Sequence, residues 1–185
     1  MMSQPAQPGR LFYVMGPSGA GKDSVINFAR LHGDPARAVF AHRYITRPPA
    51  ADAENHVALS EAEFETRRRA GWFALDWHSH GLRYGIGREI DFWLTDGVAV
   101  VVNGSRAYLA EAAARYPDLQ PVLVTAPAEI RLARLQSRQR ESRGDIQARI
   151  ERQVDLAHLS RPVCEIDNSH TLGAAGARLL QLLQA

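Results

Sequence analysis

Lysine is almost absent from this chain. Of its 22 basic residues 21 are arginine, and the single lysine is Lys22. Cysteine is as scarce: Cys164 stands alone, so no internal disulfide can form, and a reducing, cytoplasmic setting is the simplest reading. Apolar runs are short. The stretch Val98 to Val102 falls far below the ~20 residues that a membrane span needs. An excess of one charge is missing too, because a formal charge of +2 is too small to imply a nucleic-acid or membrane partner. No internal repeat breaks the sequence, and Met1 to Gly9, with its prolines, amides and no apolar core, reads as a disordered leader rather than a signal peptide. What remains, 185 residues with 45% apolar and 23% charged side chains, suits one ordinary globular domain over residues 10–185.

Buried strands and helices alternate along the chain. Leu11 to Met15 reads as a first strand entering a glycine-rich turn, and a helix is expected from Gly21 to His32 with Gly33 as its left-handed stop. Val39 to Ile45 reads as one second strand. Ser60-Glu61-Ala62-Glu63 is a capping box opening a helix that ends before Gly71. Trp72 to Trp77 and Leu82 to Ile86 form an expected hairpin around His80-Gly81. A helix over Glu89 to Thr95, a strand over Val98 to Val102, a helix from Arg106 to Tyr116 and a strand over Pro121 to Thr125 follow. Glu129 to Arg138 and Ile146 to Leu159 read as helices, Cys164 to Asp167 as a last strand, and Leu172 to Leu183 as a closing amphipathic helix. Such alternation predicts an α/β fold: a parallel sheet with helices on both faces. The block from about 43 to 96 breaks the rhythm and reads as an inserted substrate lobe.

The strongest motif follows the first strand. Gly16-Pro17-Ser18-Gly19-Ala20-Gly21-Lys22-Asp23-Ser24 matches the G-x-x-x-x-G-K core of a P-loop. Its glycines let backbone amides converge on phosphate oxygens, the helix N-terminus adds its positive end, and Lys22 reaches the outer phosphates. ATP with Mg²⁺ is the expected occupant. The residue after the lysine is normally a hydroxyl that meets Mg²⁺; here it is Asp23, with Ser24 next. A carboxylate beside phosphates is repelled unless a cation intervenes, so Asp23 either binds Mg²⁺ or turns away and caps the helix. GTPases use an N-K-x-D motif, which one lysine cannot supply, and the Val98 to Val102 strand ends in Asn103 rather than the acid of motor and transport ATPases. Both exclusions favour a small-molecule kinase.

Arg131, Arg134 and Arg138 fall on a narrow arc of one helix, and Arg140, Arg143, Arg149 and Arg152 follow. A solvated basic face explains such clusters in general. Phosphoryl transfer between phosphates, however, needs charge cancellation and alignment more than acid–base help, and a polar arginine-rich segment over about 138–146 suits a lid that closes on the reacting groups.

Taken in order, the P-loop, Thr46-Arg47-Pro48, Tyr84-Gly85, Arg134-Leu135 with Arg138 and Arg149, and Asn168 resemble the guanylate kinase family over nearly the whole chain. The resemblance implies that Arg47 and Tyr84 hold the acceptor's phosphate, that Arg134, Arg138 and Arg149 close on the transferred group, and that Asn168 lies near the adenine. The departures from that family matter as much. Arg43 stands for a serine, Ala50 for a second phosphate arginine, His56 for a tyrosine, Asn103 for an acid, and Leu75 for the glutamate that reads guanine, with Asp76 one residue away. A pocket without those carboxylates loses its partners for guanine N–H groups, while Arg43 and Arg106 add positive charge. With Gly-Lys-Asp-Ser, Glu-Asn-His-Val-Ala-Leu-Ser and Val-Asn-Gly-Ser-Arg, the chain is similar to the ribose 1,5-bisphosphate phosphokinases. These guanylate-kinase relatives make phosphoribosyl diphosphate in phosphonate breakdown.

Two rival readings remain at the level of sequence. One is a nucleoside monophosphate kinase. The other is a non-catalytic guanylate-kinase-like binding module, which the retained Lys22, Arg138 and Arg149 count against. A nucleic-acid partner is disfavoured because aromatics do not interleave with the arginines. The partner expected is a small phosphorylated molecule, and the oligomeric state is not legible.

Overall fold

A computed structural model of the chain describes residues 8–48, 56–137 and 161–184. Five parallel strands form the main sheet in the order β2-β7-β1-β8-β9: β1 (Leu11–Met15), β2 (Ala38–Phe40), β7 (Ala99–Asn103), β8 (Gln120–Thr125) and β9 (Cys164–Asp167). β1 runs down the middle, paired with β7 on one side and β8 on the other. Both faces of this sheet are buried, which is why β1 reads as a continuous apolar run rather than an alternation. Phe12 and Val14 face a cluster with Val25, Ala29, Ala175 and Leu179, from α1 (Lys22–His32) and α6 (Leu172–Gln184). These two helices touch closely: a Cβ at Gly176 would lie 2.1 Å from the Phe28 ring. Leu11, Tyr13 and Met15 face the opposite cluster, with Ile90 of α3 (Glu89–Thr95) and Leu109 and Ala112 of α4 (Leu109–Arg115).

That second cluster is shared with a separate four-stranded sheet, ordered β4-β3-β6-β5: β3 (Arg43–Ile45), β4 (His56–Ala58), β5 (Phe73–Ser79) and β6 (Leu82–Gly87). Leu75, Trp77 and Ile86 carry it into the common core. The hairpin turn puts His80 at φ 51 and Gly81 at φ 72, the left-handed pair that matches strand twist. On the outer side α2 (Glu61–Arg69) packs Phe64 against Phe73, and the Ser60 hydroxyl accepts from the Glu63 amide at 3.1 Å, completing the cap.

Three expectations need correction. The stretch Val39 to Ile45 is two strands, because the chain leaves β2 at Phe40 and enters the second sheet at Arg43. Gly33 is extended (φ −83), not left-handed; a glycine is needed there because a Cβ would sit 2.8 Å from the Ala29 carbonyl oxygen. The helix expected from Arg106 opens as a 3-10 turn, Arg106–Tyr108, before α4. Residues 1–7 of the expected leader and the helix over Ile146 to Leu159 lie outside the described residues. No helix among the described residues is long and apolar enough to cross a membrane.

Candidate active site

The loop between β1 and α1 is shaped by close approaches. A Cβ on Gly16 would lie 2.5 Å from the Val124 carbonyl oxygen, and one on Gly21 would lie 2.4 Å from Asn168 Nδ2. Gly19 and Gly21 hold φ of 80 and 81, a conformation that costs other residues about 1 kcal/mol. Pro17 and Ser18, half-buried, form the rising limb, and the Ala20 amide donates back to the Pro17 carbonyl at 3.1 Å. Gly21 is the N-cap of α1 and supplies no side-chain cap, so the first-turn amides keep their donors for an anion.

Behind the loop, α5 (Ala128–Ser137) and the end of β9 hold it in place. Arg134 Nη2 donates to the Asn168 carbonyl at 2.9 Å, and Nη1 points at the Gly19 and Ala20 carbonyls at 3.5 and 3.4 Å. Asn168 is buried, and its Nδ2 donates to the Ala20 carbonyl at 2.8 Å. Its Oδ1 is buried with no hydrogen-bond partner among the described residues, an acceptor left over for a ligand's N–H. Arg131, counted with the arginine arc, is instead only 9% exposed. Its main chain packs against Gly19, and its Nε and Nη1 have no hydrogen-bond partner among the described residues. Arg138, Arg149 and the expected lid over 138–146 fall outside the described residues.

At the loop's far end Lys22, Asp23 and Asn103 form a triad. Lys22 Nζ donates to Asp23 Oδ1 at 2.8 Å and to Asn103 Oδ1. Asn103 Nδ2 donates to the same Asp23 oxygen at 2.8 Å. Asn103, at the end of β7, is buried, whereas the Asp23 side chain is 47% exposed. The Lys22 ammonium holds the Asp23 carboxyl well below the usual carboxylate range, with Arg43 adding to the effect against a smaller opposing influence of burial. The carboxylate therefore does not turn back to cap α1; it faces Lys22 and Asn103. Ser24 follows, half-buried, on the first turn. The segment after Asn103 is fixed by Tyr13, whose hydroxyl donates to the Ser105 carbonyl and accepts from the Ser105 amide, both at 2.9 Å. Burial pushes the Tyr13 hydroxyl's pKa up, so it keeps its proton for this bond.

The second sheet presents one face to this region. Directly paired residues share a face, so Arg43, Leu75, Trp77, Tyr84 and Ile86 lie together, with His56 beside Arg43 in the parallel ladder. The Arg43 guanidinium lies 5.2 Å from the Tyr84 ring centroid, a cation–π distance, and its charge reaches Asp23 and Tyr13. His56 Nε2 donates to the Arg47 carbonyl at 3.2 Å, and Arg47 Nε is buried without a hydrogen-bond partner among the described residues. Arg106, half-buried, opens the 3-10 turn three residues past Asn103. Asp76 lies on the opposite face, level with Gly85, within electrostatic reach of Arg68 and of Tyr108. Sequence reasoning missed Trp77, whose ring stacks on Tyr84 (centroids 5.4 Å, interplanar 5°) and on Tyr108 (5.6 Å, 25°). A single aromatic in a half-buried strand carries no signal beyond core.

No protein-family profile matches the chain. Individual relatives do. It is 53% identical over 177 residues to "Ribose 1,5-bisphosphate phosphokinase PhnN" of Thiobacillus denitrificans, covering 95% of this chain and 93% of that one. The protein of the same name from Desulfomicrobium baculatum is 52% identical, over 94% of both chains. The chain belongs to the ribose 1,5-bisphosphate phosphokinase family. Family members are kinases, and the solved structures agree on the architecture. The crystal structure of guanylate kinase from Anaplasma phagocytophilum superposes with a TM-score of 0.67 at 14% identity, over 97% of this chain and 86% of that one. TT1252 from Thermus thermophilus gives 0.52 at 17% identity, over 96% and 97%. At such identities the likeness concerns the fold alone: a P-loop α/β fold shared by this phosphokinase family and a guanylate kinase.

Proposed function

We propose that the protein transfers the terminal phosphoryl group of ATP to ribose 1,5-bisphosphate, giving 5-phospho-α-D-ribose 1-diphosphate and ADP. An oxygen of the acceptor's 1-phosphate forms the new bond to the γ-phosphorus, and the bond from that phosphorus to the β–γ bridging oxygen breaks. The observation that carries the reading is the acceptor face: the Arg43 guanidinium lies over the Tyr84 ring, and Arg47 follows two residues after β3, with Leu75 and Asn103 at the positions where the resemblance to guanylate kinases puts carboxylates. Two cationic anchors without a carboxylate suit an acceptor with two phosphates and no base.

The donor side fits a nucleotide's phosphates. The left-handed loop glycines, the α1 N-terminus without a side-chain cap and Lys22 suit binding of an anion, and Asn168 Oδ1, buried without a hydrogen-bond partner among the described residues, offers an acceptor to an adenine amine. Asp23 is ionised and half exposed, which fits it to hold Mg²⁺, an ion that would neutralise charge between the phosphates. Lys22 cancels charge on the outer phosphates. Arg134 and Asn168 keep the loop in shape, and Arg138 and Arg149 are proposed to approach from the lid. Oxygen nucleophiles of this kind are already anionic, so no general base is required.

The test is kcat/KM for ribose 1,5-bisphosphate against GMP at equal ATP and Mg²⁺, with the product identified. The sugar bisphosphate is expected to be favoured by about 10⁴-fold, the scale of losing paired polar contacts. Faster turnover of GMP would overturn the reading.

A further inference from the structure

We propose that His56 is a positioning residue: its ring fixes the backbone at Arg47, from which the guanidinium reaches the acceptor's phosphate. The inference rests on the acceptor reading above and gives His56 a part in it other than touching the substrate. β3 ends at Ile45, and the chain bends at Thr46 and Arg47. Two anchors hold that bend. On one side Thr46 is tied to β6 by a reciprocal pair. Its amide donates to the Arg83 carbonyl at 3.1 Å, and its Oγ1 accepts from the Arg83 amide at 2.9 Å. On the other side the Arg47 carbonyl accepts from His56 Nε2 at 3.2 Å. His56 is itself set by the sheet, level with Arg43 where β4 pairs with β3. The Leu59 amide closes the far end of that pairing by donating to the Ile45 carbonyl at 3.0 Å.

The arginine needs such a frame. A long side chain gives up rotamer freedom when a ligand holds it, and a frame fixed beforehand leaves less to give up. Arg47 is half-buried, and its Nε has no hydrogen-bond partner among the described residues. No protein acceptor aims the guanidinium at that atom, so its direction follows from packing and from the backbone that Thr46 and His56 hold. A carbonyl only accepts, so His56 Nε2 carries the hydrogen, in the neutral ring and in the imidazolium alike. That donor is committed to the protein. The bond spans nine positions of sequence and joins the start of β4 to the bend that leaves β3.

A double-mutant cycle on kcat/KM for ribose 1,5-bisphosphate tests this. His56→Phe keeps a planar ring without the donor. It is expected to raise KM for the acceptor about 10-fold, the scale of one lost hydrogen bond, with kcat and the KM for ATP within about twofold. His56→Gln puts an amide N–H at a similar reach and is expected to bring KM back to within about threefold. In an Arg47→Ala background His56→Phe should change kcat/KM by less than about twofold, because no guanidinium is left to position. Equal losses in both backgrounds mean that His56 meets the substrate directly, which overturns the proposal, and so does a His56→Gln as poor as His56→Phe. His56→Leu replaces His56→Phe where the latter melts below the assay temperature. The two readings fail separately. If the unaltered enzyme turns over GMP faster than ribose 1,5-bisphosphate, the function is wrong, and the cycle is then run on GMP, which also carries a phosphate. If the sugar is favoured and the losses are additive, only the role of His56 is wrong.

Discussion

Replacing Asn103 with alanine removes the one neutral member of the Lys22–Asp23–Asn103 triad. Its amide accepts from one charged group and donates to the other, and hydrogen bonds to charged groups contribute about 1.5–3 kcal/mol each. The full sum is not expected. Lys22 and Asp23 still hold each other at 2.8 Å, and Asp23 is 47% exposed, so water replaces much of what Asn103 supplied. The Lys22 side chain, only 15% exposed, loses more. A net cost of about 2 kcal/mol follows, which in a domain of this size lowers Tm by about 4–8 °C. Differential scanning calorimetry reads that directly, and a double-mutant cycle with Lys22→Ala should return a coupling of about 1–2 kcal/mol. Because Asn103 also sets where the lysine points, kcat/KM should fall by about tenfold or more. A variant that melts within 1 °C of the unaltered protein at unchanged kcat/KM would refute the idea that Asn103 organises these charges.

Lys22→Ala should lower kcat by orders of magnitude while shifting Tm by only a few degrees, since the carboxylate it pairs with is half exposed and can be solvated by water in its place; near-normal turnover would remove the loop as donor site. Asp23 titrates below its usual range in the folded chain, so its stabilising contribution is present above the unfolded carboxylate pKa of about 3.9 and is lost as pH falls through the lower folded value. Asp23→Asn should therefore show a shallower fall of Tm below about pH 4. It should also need more Mg²⁺ for half-maximal rate, and an unchanged Mg²⁺ requirement would leave the carboxylate as a partner of Lys22 alone.

Elements bounded by sharp chemical contrasts were legible to the residue. Leu11–Met15 ends at glycine and Cys164–Asp167 follows Pro162 by two residues and ends at Asn168, and both strands stand as read. The run Val39 to Ile45 misled because a change of sheet leaves no mark on local hydropathy when both halves are half-buried strands. Helical spacing placed Arg131 and Arg134 on one arc, but angle alone does not tell that one guanidinium is buried while the other reaches the loop carbonyls. Asp23 offered two readings from its neighbours in sequence. Its contact with Asn103, 80 positions away, belongs to neither and arises only when β7 is laid beside β1. The lone lysine, the loop and Arg43, by contrast, stood out from composition and motif alone, and the structure brings their charges within reach of one another.

The sheet order has a consequence for how this protein comes off the ribosome. β1, at residues 11–15, pairs with β7 at 99–103 and β8 at 120–125. The loop that follows it is made first, yet it has no frame until some 110 further residues have emerged. The hairpin of β5 and β6 spans 73–87 and closes on itself through a two-residue turn. Local pairing of that kind forms early, whereas parallel pairing across such a gap is slow. The hairpin of the second sheet is thus assembled before the phosphate loop is set, and a nascent chain spends its synthesis with an apolar first strand still waiting for both neighbours.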